Sequence, residues 1–361
     1  MSIDIYYKES EFSLLKRYKT IQITEENISN SIVYTKPFSV ADSLFNFSVG
    51  DIVIIVRAGA VYNKKIKDRT LNVLSQLTEK KHLHFFVEDL FTTDVDFPEL
   101  QFVESLAKSL GTPHTTYCCE KNNFTKYFDW FVFDSAVSIF ELPKITTNFS
   151  KKICCLNRRY TDYRYLASAF LSNYSDHVSL TQHYSLDDVE NCKIDIDKLD
   201  YRLNIKTGLS ILQSREKIND YTQPVDVDYI SEHAVKKLIS ITQDSFCSLV
   251  TESKFHSTMP NFSEKTLRAI ISGRPFVLLA PPGTLQLLRD LGFKTFSKYW
   301  DESYDLELDS TKRFEKVMFV VKDILEKESL DIEPMLSVLK HNQEQLKSIP
   351  RRMYQLLDQR P

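Results

Sequence analysis

The chain has 361 residues, with 46 basic against 49 acidic side chains and a net charge of −3. At 42% hydrophobic, with 24 Phe and 18 Tyr, it has material for more than one core, and its length suits two domains of about 100–200 residues. Near-neutral charge excludes a protein that is basic throughout, while seven glycines, with neither G-x-G-x-x-G nor G-x-x-x-x-G-K, argue against glycine-rich dinucleotide folds and P-loop enzymes.

Residues 51–59 (DIVIIVRAG) form a nearly continuous apolar run, as expected of a strand buried on both faces of a parallel sheet. Leu71, Leu74 and Leu77 predict a helix over 69–81. A second buried strand is expected over 84–87 (HFFV), ending at Glu88 and Asp89, and an amphipathic helix over 100–110, stopped by Gly111 and Pro113. Further strands are expected over 115–119 and 130–135. This alternation predicts a first Rossmann-like α/β domain over residues 1–145, joined to the second by the polar stretch 142–150.

The second domain, residues 146–361, repeats the alternation. A strand is expected over 153–156, then a helix capped by Thr161 or Asp162 and running to Leu171, then a short strand over 178–180. Residues 187–224 are polar and weakly patterned, and 231–241 read as a helix. Residues 246–296 then give a strand, a polar loop, a capped helix, a second strand, a Pro-Gly turn and another helix. The chain ends in helices over 310–328 and 334–357. No internal repeat is present.

The chemistry concentrates in that block. Glu252 ends its first strand, and Glu264 with Lys265 opens its helix, where N-terminal amides, an ammonium and a carboxylate suit the phosphates and ribose of a nucleotide. Asn261 or Ser263 can cap the helix, and Glu264 can complete a capping box with Asn261, which is the purely structural account of that glutamate. A second candidate is the strand end Asn157-Arg158-Arg159, since planar guanidinium groups suit a diphosphate. The six basic residues between Lys144 and Leu166 (Lys144, Lys151, Lys152, Arg158, Arg159, Arg164) face one acid, Asp162, a run that can meet phosphate as a patch. On the first domain, Glu88 and Asp89 are candidates for the base that deprotonates an acceptor hydroxyl, with Arg57 as companion and Asp134 a weaker candidate.

Glu252-Ser253, the polar loop, Phe262-Ser263-Glu264-Lys265 and the turn from Ala269 to Val277 resemble the donor-binding half of α-1,3-fucosyltransferase-type GT-B enzymes. Residues 283–305 (GTLQLLRDLGFKTFSKYWDESYD), with the strand-Asn-Arg-Arg opening, also resemble glycosyltransferases of tailed phages and bacteria. Ser253 stands where the fucosyltransferases have Asn. The resemblance implies a GT-B fold, two Rossmann-like domains facing a cleft with closing C-terminal helices. It implies a UDP- or GDP-linked sugar held by Asn157, Arg158, Arg159, Glu252, Ser263, Glu264 and Lys265, with Glu88 or Asp89 as base and no other cofactor. Two acceptors stay open: a hydroxylated base in double-stranded phage DNA, or a lipopolysaccharide or capsule saccharide. A non-catalytic nucleotide-binding protein of the same shape, and a nucleotide-sugar epimerase, are the readings from other classes.

Metal ligation is not expected. Three D-x-D pairs (Asp94/Asp96, Asp195/Asp197, Asp226/Asp228) follow no long buried strand, and His82-x-His84 lacks a third ligand. The six cysteines show no C-x-x-C spacing and read as reduced thiols of a reducing compartment. No apolar run reaches the roughly 20 residues of a membrane span, and the N-terminus lacks the features of a signal peptide, so a cytoplasmic protein of a bacterium or phage-infected cell is expected.

Overall fold

Apolar runs build two separate sheets, and the chain divides accordingly into Met1–Ser138 with Ile349–Pro361, and Ile139–Ser348. The computed structural model describes residues 2–7, 19–24, 51–56, 64–75, 82–87, 98–118, 126–127, 142–157, 161–181, 193–214 and 232–358.

In the first unit the strands are β1 (Ser2–Tyr7), β2 (Lys19–Thr24), β3 (Asp51–Val56), β4 (His82–Val87), β5 (His114–Cys118) and β6 (Lys126–Tyr127), with helices α1 (Lys64–Ser75) and α2 (Pro98–Leu110). The sheet order is β2-β1-β3-β4-β5-β6. From β3 to β6 the pairing is parallel, as the runs at β3, β4 and β5 predict, while no run marks the two-residue β6. At the other edge the expectation is corrected: β1 runs antiparallel to both β2 and β3, so the sheet is mixed. Helix α1 begins five residues before the expected start, because two lysines open its first turn outside the leucine pattern, and residues 76–81 of the expected helix lie outside the described residues. Leu74, Leu83, Phe85, Phe102, Val103, Leu106 and Ala107 form the described part of this core. The strand expected over 130–135 lies outside the described residues.

In the second unit the strands are β7 (Lys151–Leu156), β8 (Val178–Thr181), β9 (Ser245–Thr251) and β10 (Phe276–Leu279), in the order β10-β9-β7-β8 and parallel throughout. Its helices are α3 (Asp162–Ser172), α4 (Ile196–Leu203), α5 (Ile205–Ser214), α6 (Glu232–Gln243), α7 (Glu264–Ile271), α8 (Thr284–Asp290), α9 (Ser310–Glu326) and α10 (Leu336–Asp358), the last running on past Ser348. All seven residues of β9 are buried, as the run SFCSLVT requires of a central strand. Helix α9 packs Phe314, Val317, Val321 and Ile324 into the core and meets β10 and β7.

The segment 142–150 is bound tightly within this unit. Arg274, only 1% exposed, donates to the Thr146, Asn148 and Gln243 carbonyls and to the Thr146 hydroxyl. Burial lowers its pKa to about 10, which leaves it charged at neutral pH. Gly273 ends α7 at φ +61, with the Arg274 amide reaching back to the Ala269 carbonyl. A Cβ at Gly273 would lie 2.6 Å from Ile145 Cγ1.

Helices α3 and α5 approach so closely that Gly208 admits no side chain: a Cβ there would lie 1.9 Å from the Ala169 carbonyl oxygen. Alanine is the better helix former, yet a backbone atom cannot swing aside. Gly208→Ala should cost about 3 kcal/mol by forcing the helices apart, read as a lower midpoint in urea denaturation. An unchanged or raised midpoint would contradict this packing.

Candidate functional site

The parallel sheet of the second unit has a topological switch. From β7 the chain passes through α3 to β8 on one side, then returns to β9 on the other. Ligands of open α/β sheets collect beyond the carboxyl ends of the strands at such a point. Here those ends carry Asn157 after β7 and Glu252-Ser253 after β9.

Glu252 is fully buried. One carboxylate oxygen accepts from the Ser263 amide at 3.0 Å and the Thr266 hydroxyl at 2.6 Å, and the other accepts from the Ser263 hydroxyl at 2.6 Å. Ser263 is the N-cap of α7, and its Oγ accepts from the Lys265 amide. Receiving the N-cap amide is the part that a glutamate three residues into the helix plays in a capping box. Here that third position is Thr266, and the carboxylate comes from the neighbouring strand instead. Neither Asn261 nor Glu264 fills that role: the Asn261 amide and carbonyl both meet the Thr284 hydroxyl.

What faces outward is a different set. Ser253 is exposed, and its hydroxyl lies between two cations, 3.3 Å from Lys265 Nζ and 3.4 Å from an Arg164 guanidinium nitrogen. Lys265 Nζ also donates to Ser263 Oγ at 3.0 Å and lies 3.1 Å from Glu264 and 3.8 Å from Glu252. Arg164, 4% exposed, anchors itself on the Thr251 carbonyl at 2.9 Å. Glu264 keeps a side chain 38% exposed. Burial would raise its pKa, but Lys265, with Ser263 and Arg268, outweighs that and holds it below the ordinary glutamate value.

Asn157 is 2% exposed and points inward. Its Oδ1 accepts from the Thr251 hydroxyl at 2.5 Å, and its Nδ2 donates to Ser168 Oγ at 3.3 Å, tying β7, β9 and α3 together. The structure thus brings Asn157, Glu252, Ser263, Glu264 and Lys265 to one edge of one sheet. Arg158, Arg159, Glu88, Asp89, Arg57 and Asp134 lie outside the described residues, as do Asp94, Asp96, Asp226 and Asp228.

The basic run from Lys144 to Arg164 is not one patch. Strand β7, about 20 Å long at roughly 3.3 Å per residue, separates Lys144, Lys151 and Lys152 from Arg164. Lys151 donates to the Asp176 carbonyl, and Lys152 caps the carboxyl end of α9 through the Leu325 and Lys327 carbonyls. Of the D-x-D pairs, Asp195 accepts from the Lys198 amide and pairs with its ammonium, while Asp197 pairs with Lys206. No group of three or more metal-ligating side chains occurs among the described residues. Cys154, Cys155 and Cys247 are free, and burial raises all three thiols, the first two to about 11 and about 12. They are inert packing groups.

Behind the edge lies a pair that the sequence marks only in part, Asp162 as a helix-cap candidate and His256 not at all. Asp162, in the first turn of α3, accepts from the Tyr163 and Lys193 amides, each at 2.8 Å, and from His256. Burial opposes its ionisation, but the His256 contact and these amides prevail and lower its pKa. A group with a depressed native pKa stabilises the fold above its unfolded value, near 4, and loses that contribution as pH falls through the native value. Glu264 acts in the same sense. Stability measured by urea should therefore hold above pH ~5 and fall steadily below pH ~4, with a shallower fall in Asp162→Asn. An acid limb of the same slope in that variant would contradict the assignment.

No protein-family model matches this sequence, and no curated protein matches it. Among solved structures, the chain is similar to the DNA modifying enzyme β-glucosyltransferase, determined in the presence and absence of the substrate uridine diphosphoglucose. The TM-score is 0.41 and the identity 10%, over 84% of this chain and 79% of that one.

Proposed function

We propose that the chain is a GT-B glycosyltransferase that moves a sugar from a UDP- or GDP-linked donor to an acceptor hydroxyl. One observation carries the reading: an exposed serine hydroxyl held between an arginine and a lysine, beside a helix N-terminus, at the switch point of a parallel sheet. Two cations over one exposed hydroxyl serve an anion better than they serve the fold, and a diphosphate fits them. Arg158 and Arg159 follow Asn157 in the chain and supply further diphosphate ligands in this reading. Glu252 and Asn157, being buried, position the site and do not touch the donor.

Transfer then proceeds with inversion. The acceptor oxygen attacks the anomeric carbon, its proton passes to Glu88 or Asp89, and the bond to the diphosphate breaks with its electron pair left on the departing oxygen. Arg164 and Lys265 stabilise that charge. In this reading they supply the counter-charge that a divalent metal supplies elsewhere, so transfer is metal-independent. The acceptor we favour is a hydroxymethylated base in phage DNA, on the resemblance of residues 283–305 to phage glycosyltransferases.

The test is to incubate the protein with UDP- and GDP-sugars and DNA carrying hydroxymethylated bases, with and without EDTA, and to follow the DNA by mass spectrometry. One added sugar per hydroxymethylated base, unaffected by EDTA and absent with unmodified DNA, is the expected result. Transfer to a saccharide instead would overturn the acceptor, and nucleotide binding with no transfer to either would overturn the enzyme.

A further inference from the structure

We infer that His256 is a positioning residue of the donor site, acting through the loop that carries Ser253. The inference rests on the donor-site reading above and adds a part of the machinery lying away from the phosphate ligands.

The loop after β9 is pinned from two sides. Phe255, fully buried, lies against the Tyr163 ring at 4.9 Å and under the Arg313 guanidinium at 4.4 Å, and its carbonyl accepts from Arg313 at 2.5 Å. The Tyr163 hydroxyl donates to the Glu252 carbonyl. His256 completes the arrangement: Nε2 lies 2.9 and 3.0 Å from the two Asp162 oxygens, and Nδ1 lies 3.1 Å from Ser310 Oγ. Because an ionised carboxylate only accepts, Nε2 carries the proton. One imidazole thus ties the Ser253 loop to the first turns of both α3 and α9.

Arg164 belongs to α3, two residues from Asp162, and Ser253 belongs to the loop. The histidine link therefore sets the spacing between Arg164 and the Ser253 hydroxyl it holds at 3.4 Å, and so the place of the arginine over the proposed anion position. A site built this way is organised before the ligand arrives, and loosening it weakens binding without removing any ligand contact.

Two variants separate positioning from general support. His256→Phe keeps a ring and removes both nitrogens, while His256→Gln restores a donor at the Nε2 position. Amide hydrogen exchange without ligand reads the loop, and titration with UDP and GDP reads the site. In His256→Phe, exchange over residues 252–262 should accelerate at least tenfold and affinity for the bound nucleotide fall about tenfold, as for loss of one hydrogen bond to a charged group. His256→Gln should stay within about threefold on both. If His256→Phe does not fold, Ser310→Ala removes the Nδ1 partner together with a 3.4 Å bond from Arg313, which keeps its bonds to the Phe255, Glu307 and Leu308 carbonyls, and should show the same two effects, each smaller. Unchanged loop exchange in a folded His256→Phe, or a His256→Gln as impaired as His256→Phe, would overturn the inference. Accelerated exchange in a protein whose wild type binds neither nucleotide would overturn the donor-site reading and the positioning claim with it.

Discussion

Replacing Glu252 by alanine should lower the stability of the second unit by about 3–5 kcal/mol, the range for removing one member of a buried charged network. The loss comes from stranded donors. Loss of the carboxylate leaves the Ser263 amide, the Ser263 hydroxyl and the Thr266 hydroxyl without the oxygen that each now bonds at 2.6–3.0 Å. Each unsatisfied buried group costs about 1–3 kcal/mol, and water entering the vacated space offsets part of the sum. The N-terminus of α7 would fray, taking Lys265 with it. In a melt of the whole protein the transition of this unit should fall by about 10 °C. Glu252→Gln keeps one acceptor and the shape, so its loss should be about half as large. A change below 1 kcal/mol in Glu252→Ala would show that the carboxylate is not what holds the helix to the strand.

Lys265→Met should behave in the opposite way, leaving the fold nearly intact and crippling the site. The Lys265 side chain is 19% exposed and makes its hydrogen bonds to hydroxyls that keep other partners, and the buried Glu252 carboxylate 3.8 Å away keeps its three hydrogen bonds when the ammonium is removed. A charged hydrogen bond to phosphate is worth about 1.5–3 kcal/mol, so nucleotide diphosphate affinity should drop about thirtyfold. Calorimetric titration of wild type and variant measures it directly. Equal affinities in two folded proteins would remove Lys265 from the site. The contrast between the two variants matters more than either alone, since Glu252 and Lys265 lie 3.8 Å apart and are assigned opposite roles.

That contrast also marks how far the sequence could be read. The place was legible: a buried run ending at Glu252 and a helix opening at Glu264 put both at the carboxyl edge of a parallel sheet. The roles were not. A carboxylate that grips a ribose and one that caps the next helix look identical in a sequence, and only burial of Glu252 separates them. Asn157 is the same case, an amide at a strand end that turns inward to Thr251. Arg164 stood in view only as one of six basic residues, and strand β7 divides that run between two ends of the sheet. His256 carried no signal at all, because Asp162 lies 94 residues away from it and Ser310 lies 54.

The fold was read unevenly for similar reasons. Strands β3, β4, β7, β9 and β10 announce themselves as apolar runs, and in β9 and β10 every residue is buried. Strand β1 alternates Ile3 and Ile5 with Asp4, a weaker signal in six residues, and its antiparallel pairing to β3 follows from partners that no local pattern specifies. The closeness of α3 and α5 depends on Gly208, one glycine in a helix that periodicity alone would read as a flaw.

The most direct test of the central claim is amide hydrogen exchange on the full chain with and without UDP or GDP. The account predicts that the diphosphate that binds slows exchange over residues 252–268, the Ser253 loop and the first turn of α7. Protection confined to other segments, or no binding of either nucleotide, would contradict it.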